Sequence, residues 1–321
     1  MARRLKVKRD TEYTVSELME VFLAEKKADG RSEKTLISYR DSFKKFLSCI
    51  DGDTIIDTID KGTIIHYKNF LDKGETLHLA SKNHYLRDLR SFIKWCQEDG
   101  YIAERIEVKL IKGQEEPIET YTDEELEKLL ATPDKKAGFV EWRTWTIVNW
   151  ILAEGSRIET IVNIRIGDIH FGRDEILIRE QKNKKATTLP LAKALKNVLR
   201  TYIKKCRSNA TDNSWLFCNI EDEKLTTKAL QSSLYDYNRK RGVNRTSAHA
   251  LRHTFAKQYI LNGGEAFRLQ KILGHSQLEM TRHYVNLFGV DLKKDYDDIV
   301  PLNTLVKPKG RKKQKVMVSD E

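Results

Sequence analysis

The chain has 321 residues, of which 40% are hydrophobic and 33% charged, and a formal net charge of +11; this length allows two domains with cores of their own, and this composition describes a soluble protein. No apolar run approaches the roughly 18 residues that crossing a bilayer requires. Met1 to Arg9 carries charge with no apolar stretch behind it, which excludes a secretory signal and sets the expectation of a cytoplasmic protein.

Thr14-Val15-Ser16-Glu17 has the spacing of a capping box before Leu18, Val21 and Phe22, so a first helix is predicted to begin there. Leu36, Tyr39, Phe43, Phe46, Leu47 and Ile50 follow Ser32 at helical spacing, and Ile64 to Leu71 predicts a third helix. Leu86, Leu89, Phe92, Ile93 and Cys96 predict a fourth, ending before Gly100. Residues 14–112 therefore read as a small helical domain behind a basic tail at 1–13, and the polar, aperiodic stretch 113–120 reads as a linker.

A second domain is predicted over 121–300. It opens on another capping box, Thr122-Asp123-Glu124-Glu125. Trp142, Trp145, Val148 and Ile151 share one side of the next helix; core packing is the reading, with a stacking platform for bases as the sharper alternative. Glu175 to Arg179 and Ala186 to Pro190 flank a lysine-rich turn and predict a β-hairpin. Helical patterns return at 192–205, 226–237, 249–261 and 266–273, then from Leu278 onward, with a last helix at 290–300 before Pro301. The fold class expected is mainly α with a small β-hairpin or sheet.

The charge is unevenly placed. Residues 1–10 carry five basic side chains and one acid, and residues 307–321 carry six basic side chains and two acids, so only +3 remains for everything between. Such tails add salt-sensitive affinity for phosphates, or simply keep the termini solvated. Cys49, Cys96, Cys206 and Cys218 lie far apart with no C-x-x-C pair, which argues against a zinc ribbon and against a disulfide framework.

The chemistry-bearing residues gather in the C-terminal half. Gly155-Ser156-Arg157 comes first and Lys182 stands in the hairpin turn; His249-Ala250-Leu251-Arg252-His253 follows, then Leu273-Gly274-His275-Ser276, then Thr281-Arg282-His283-Tyr284. In this order Arg157, Lys182, His249, Arg252, His275 and Tyr284 fill every place of the pattern Arg, hairpin Lys, His-x-x-Arg, His, Tyr, and the chain resembles the tyrosine recombinase (phage integrase) family. Five ordered elements are far more specific than one short motif. The specific motifs run from Gly155 to Tyr284; the N-terminal half matches only as a helical core-binding domain of suitable size.

The resemblance implies a role for each position. A phosphodiester gains negative charge on its non-bridging oxygens when a nucleophile adds, and the planar forks of Arg157 and Arg252 would hold it. Tyr284 would attack phosphorus, leaving a 3′-phosphotyrosyl linkage and a free 5′ hydroxyl; the covalent link conserves the bond energy, so no ATP or other cofactor is expected. A phenol has a pKa of about 10 and needs a proton acceptor, which by resemblance is His249. His275 would donate to the scissile phosphate. Lys182 would protonate the leaving 5′ oxygen; the competing reading is that Lys182, Lys184 and Lys185 all bind backbone phosphates. His253 reads as a packing or supporting residue of its helix, and His283 stays open.

A metal is not expected. His249 and His253 have i, i+4 spacing, but the Glu of H-E-x-x-H is missing, no cysteine lies nearby, and the motifs hold no clustered carboxylates for magnesium. The arginine box departs from the usual Thr-Gly-x-Arg-x-x-Glu at both ends, reading Glu154-Gly155-Ser156-Arg157-Ile158-Glu159-Thr160. Either Glu159 replaces the missing acid or the support comes from elsewhere.

The resemblance further implies a C-shaped clamp of core-binding and catalytic domains on double-stranded DNA with inverted-repeat core sites. It implies a homotetramer on two DNA sites through exchange of the C-terminal helix, accessory DNA-bending proteins as further partners, and a nucleoid-associated location. The activity expected is site-specific recombination through a Holliday junction, for integration or excision of a mobile element. The alternatives are an Xer-like resolver of DNA dimers, a type IB topoisomerase, and a binding protein that has lost cleavage.

Overall fold

The computed structural model describes residues 12–73, 77–113, 118–179, 186–274 and 284. The chain divides into two compact units, Met1–Glu116 and Pro117–Glu321.

The first unit is built from four helices, α1 (Val15–Ala28), α2 (Glu33–Leu47), α3 (Lys61–Lys73) and α4 (Leu79–Glu98). Thr14 caps α1 in a complete capping box with Glu17, and Ser32 caps α2 by accepting from the Thr35 amide, as the sequence predicts. The apolar faces meet around Phe22, whose ring makes edge contacts with Tyr39, Phe43, Phe92 and Trp95 at 5.2–5.8 Å between centroids. Trp95 keeps its indole N–H satisfied on Glu25 at 2.8 Å. Asn83 fastens the chain after α4 by pairing with both main-chain groups of Ile111, at 3.0 and 2.9 Å.

The second unit contains α5 (Asp123–Leu130), α6 (Phe139–Glu154), the short α7 (Ile158–Ile161), strands β1 (Ile169–His170), β2 (Glu175–Ile178) and β3 (Thr187–Pro190), then α8 (Lys193–Cys206), α9 (Thr227–Lys240), α10 (Ala248–Leu261) and α11 (Ala266–Leu273). The sheet is antiparallel in the order β1-β2-β3, with Ile169 opposite Ile176 and Ile176 opposite Leu189. The hairpin is where the sequence puts it. The two-residue β1 is too short to leave an alternation in the sequence, and it adds a third strand.

α6 differs from its sequence reading. Its pattern suggests one apolar side, yet Trp142, Trp145, Thr146, Ile147, Val148, Trp150 and Ile151 are all buried, so the helix is enclosed on every side. Trp145 donates to the Leu130 carbonyl at 3.0 Å and Trp150 to Ser156 at 3.0 Å, so both are core residues and no platform for bases. Arg143, also buried, is accommodated by the Cys218 carbonyl at 2.6 Å and Ser233 at 2.9 Å. All four cysteines are free thiols. Among the described residues no helix is long and apolar enough to cross a membrane.

Candidate active site

The site starts where α6 stops. Gly155 adopts φ +57, and its N–H returns to the Ile151 carbonyl at 2.8 Å, a left-handed cap that turns the chain towards Arg157. Any Cβ at this position would clash with Phe255 and would lie 2.6 Å from the Leu273 side chain. Glycine is thus required twice, by its backbone and by the close approach of α10 and α11.

Arg157 precedes α7 in extended backbone and donates Nη1 to the carbonyls of Leu273 at 3.1 Å and Gly274 at 3.4 Å. Arg252 comes from the first turns of α10, a helix capped by Ser247. Its guanidinium is buried, with Nη1 on the Gly155 carbonyl at 2.6 Å and Nη2 on the Leu273 carbonyl at 3.0 Å. Two arginines that are 95 residues apart in sequence therefore converge on one carbonyl.

The place of that carbonyl explains why two cations tolerate each other there. Leu273 ends α11, and Gly274 caps the helix at φ +61. The last carbonyls of a helix lack partners of their own and carry the negative end of its dipole, so guanidinium groups are favoured. Burial, and then the neighbouring Arg157, pull the Arg252 guanidinium down to about 10, which leaves it charged at neutral pH. Among the described residues, main-chain carbonyls of Gly155, Leu273 and Gly274 hold the two arginines, and Glu159 is exposed on α7.

Tyr284 is buried among Phe255, Ala256, Ile260, Leu269 and Leu273. Its hydroxyl lies 2.7 Å from Nδ1 of His253, and the His253 ring packs edge-on against His249 with centroids 4.3 Å apart. Burial raises the phenol above its ordinary value, and Arg252 and Arg157 pull it back down. His249 is shifted below the ordinary histidine value by burial, then by Arg252 and Arg157. Of the six predicted site residues, Arg157, His249, Arg252 and Tyr284 are thus gathered around the turn from α6 to α7. Lys182 and His275, with Lys184, Lys185, His283 and the helix at 290–300, lie outside the described residues.

His253, read from the sequence as a packing or supporting residue of its helix, stands against the Tyr284 hydroxyl, one residue after Arg252 and four after His249. A second supporting feature is Asp168, fully buried after α7, which accepts from the Arg165 amide at 2.8 Å and pairs with Arg179 at 2.5 Å where β2 runs towards the lysine turn.

The sequence pattern of the phage integrase family matches residues 119–289, and that of the phage integrase SAM-like domain matches residues 14–110. The chain belongs to the phage integrase family, whose members are tyrosine recombinases, enzymes that break and rejoin DNA strands through a tyrosine in site-specific recombination. Among curated relatives, tyrosine recombinase XerD of Staphylococcus haemolyticus is 27% identical over 283 residues, covering 85% of this chain and 94% of its own. Tyrosine recombinase XerA of Pyrococcus furiosus is 26% identical, covering 91% and 96%. Among solved structures, the Tn1549 transposon integrase in complex with transposon right-end DNA superposes with a TM-score of 0.72 at 17% identity, over 89% of this chain and 99% of that one. XerH recombinase bound to its difH substrate gives 0.68 at 23% identity, over 88% and 83%. These likenesses place the fold.

Proposed function

We propose that the protein cuts duplex DNA at inverted-repeat core sites, with Tyr284 as the nucleophile and Arg157 and Arg252 as the clamp on the scissile phosphate. The observation that carries this reading is the convergence of both guanidinium groups and the Tyr284 ring on the carbonyl end of α11. Arginines in this place stabilise the charge that develops on the non-bridging oxygens, and they favour the phenolate in the same step. Attack forms the bond from the tyrosine oxygen to phosphorus and breaks the bond to the 5′ oxygen, which takes its proton from Lys182 by the motif's assignment. His275 donates to the phosphate. The motif gives the role of proton acceptor to His249. No metal or cofactor enters the reaction proposed.

Exchange of strands between two sites requires more than one protomer. A tetramer linked by the segment after Tyr284 is the assembly proposed, and the related λ integrase is known as a tetramer bound to a Holliday junction. Action on a mobile element is the proposed biological setting; the Xer recombinases among the relatives favour resolution of DNA dimers as the second reading.

One experiment tests the chemistry and identifies the site. The purified chain and its Tyr284→Phe variant are incubated with fragmented host DNA and denatured in SDS, and the protein-linked DNA is sequenced. Adducts confined to the wild type and converging on one inverted repeat are expected. Adducts that persist in Tyr284→Phe would move the nucleophile to another residue. A repeat at the ends of an integrated element would support the mobile-element role, and a single chromosomal repeat the resolver.

A further inference from the structure

The strand that leads into the lysine turn ends on an ion pair of unequal halves. Asp168 is fully buried between α7 and β1, whereas the Arg179 side chain at the end of β2 keeps 58% of its surface exposed. Nε of Arg179 donates to Oδ1 of Asp168 at 2.5 Å, and Oδ2 of Asp168 accepts from the Arg165 amide at 2.8 Å. Among the described residues Nη1 and Nη2 of Arg179 have no hydrogen-bond partner, so the far end of its guanidinium is open to solvent. On the basis of Tyr284 and Lys182 acting at the scissile phosphate, we infer that Arg179 binds a DNA backbone phosphate beside the cut through Nη1 and Nη2, and that Asp168 is the positioning residue that aims it.

The chemistry of the pair supports this division. A carboxylate is costly to bury and is kept where a cation and hydrogen bonds satisfy it. Arg165, the nearer arginine in the chain, has its own guanidinium engaged elsewhere: it lies over the Trp215 ring at 4.3 Å and donates to the Asn213 carbonyl. Arg179 is therefore the side chain that neutralises Asp168 among the described residues. That task needs one charge, which a lysine would supply. A planar fork with two donors left over fits a second anion, because Nη1 and Nη2 match two oxygens of a phosphate bidentately. An exposed arginine ordinarily loses rotamer freedom when it binds, and here Asp168 has already removed much of it.

The place of Arg179 selects the anion. Three residues separate it from Lys182 in the sequence, and three residues of extended chain span about 10–11 Å at most. With Lys182 at the leaving 5′ oxygen, Arg179 is within side-chain reach of the phosphates next to the one that is cut. Asp168 also holds the amide of Arg165, in the segment that begins with Arg157 and α7, so the arginine box and β2 share one support. A contact of this kind fixes the register of the strand and reads no base.

The test uses the full chain carrying Tyr284→Phe, which binds without cutting, alone and with Arg179→Gln, Arg179→Lys or Asp168→Asn. The first probe is a short duplex of arbitrary sequence, titrated over a range of salt concentrations. Arg179→Gln is expected to reduce the slope of log affinity against log salt by about 0.9, the share of one phosphate. An unchanged slope would overturn the inference. The second probe is the duplex recovered by covalent capture, with single phosphates near the cut replaced by neutral methylphosphonates. One replacement is expected to weaken binding by about 10-fold with Arg179 present and to have no further effect in Arg179→Gln, as a direct partner requires. Effects that multiply independently at every phosphate would leave the pair as a structural brace and overturn the inference. Arg179→Lys keeps a cation for Asp168 should the glutamine variant fail to fold. Its penalty at that phosphate is expected to shrink, because one ammonium replaces the fork, and a full penalty there would count against the assignment. Asp168→Asn retains the shape and loses the charge that pins Nε, so it should reduce the coupling at the same phosphate; a uniform loss over all phosphates would deny Asp168 the positioning role. If capture returns no Tyr284-dependent site, the nucleophile assignment fails, and the salt slope on the arbitrary duplex still decides whether Arg179 contacts a phosphate.

Discussion

Glu154, one of the departures from the family's arginine box, sits in the last turn of α6 with 3% of its surface exposed. Burial pushes its carboxyl up to about 8, so it is protonated at neutral pH and a charge is kept away from the negative end of the helix. The consequence for stability has a definite sign. The folded state holds a proton that the unfolded chain releases near 4.5, so stability is greatest below 4.5 and falls as pH rises until the folded group titrates near 8. Glu154→Gln cannot ionise and is expected to flatten that decline. Its free energy of unfolding, from urea titration, should match the wild type near pH 4 and exceed it at pH 8.5 by an amount on the order of a few kcal/mol. Equal free energies at both pH values would show that the carboxyl ionises without cost in the folded state.

At the scale of elements, α10 is the helix on which the site depends. Arg252, His253 and His249 project from its first half, and Thr254 secures the segment before α5: its hydroxyl accepts from the buried Tyr121 amide at 2.8 Å and donates to the Ala250 carbonyl at 2.8 Å. Thr254→Val keeps the shape and removes the acceptor, which leaves the Tyr121 amide without this partner. A loss of about 1–3 kcal/mol is expected from the second unit, measured by urea unfolding, against a smaller loss for Thr254→Ser. A loss in Thr254→Val no larger than about 0.5 kcal/mol would show that the hydroxyl's bond to the Tyr121 amide does not hold this segment. The end of α6 matters for the same reason. Gly155 allows α6, α10 and α11 to close on one point, and that closure brings Arg157 to the carbonyls at the end of α11.

The whole molecule contains separate cores. The core of the first unit is built from Val15 to Val108, and the buried clusters of the second unit run from Tyr121 onward. Each unit therefore encloses its own apolar side chains, and calorimetry of the DNA-free chain is expected to show two transitions. Thr254→Val should lower only the transition of the second unit. A single transition that moves as one would show that the two units unfold cooperatively.

Most of the helices were legible in the sequence because apolar spacing and capping residues are local: Thr14 with Glu17, Ser32, and Thr122 with Glu125 mark their helix starts in the chain as in the fold. The motif residues were legible as well, because phosphodiester chemistry requires arginine forks and a nucleophile in any setting, and their order along the chain is distinctive. The enclosure of α6 was not legible, since burial on every side depends on what packs against a helix, and its apolar stripe is the same in either case. Nor was β1, whose pairing with β2 is made in space. The contact of His253 with Tyr284 belongs to the same class: 31 residues separate the two. By itself the sequence determined which side chains were available for the reaction. Only the tertiary structure decided which of two neighbouring histidines meets the phenol, because packing fixes the direction of a ring on α10 and spacing along the helix does not.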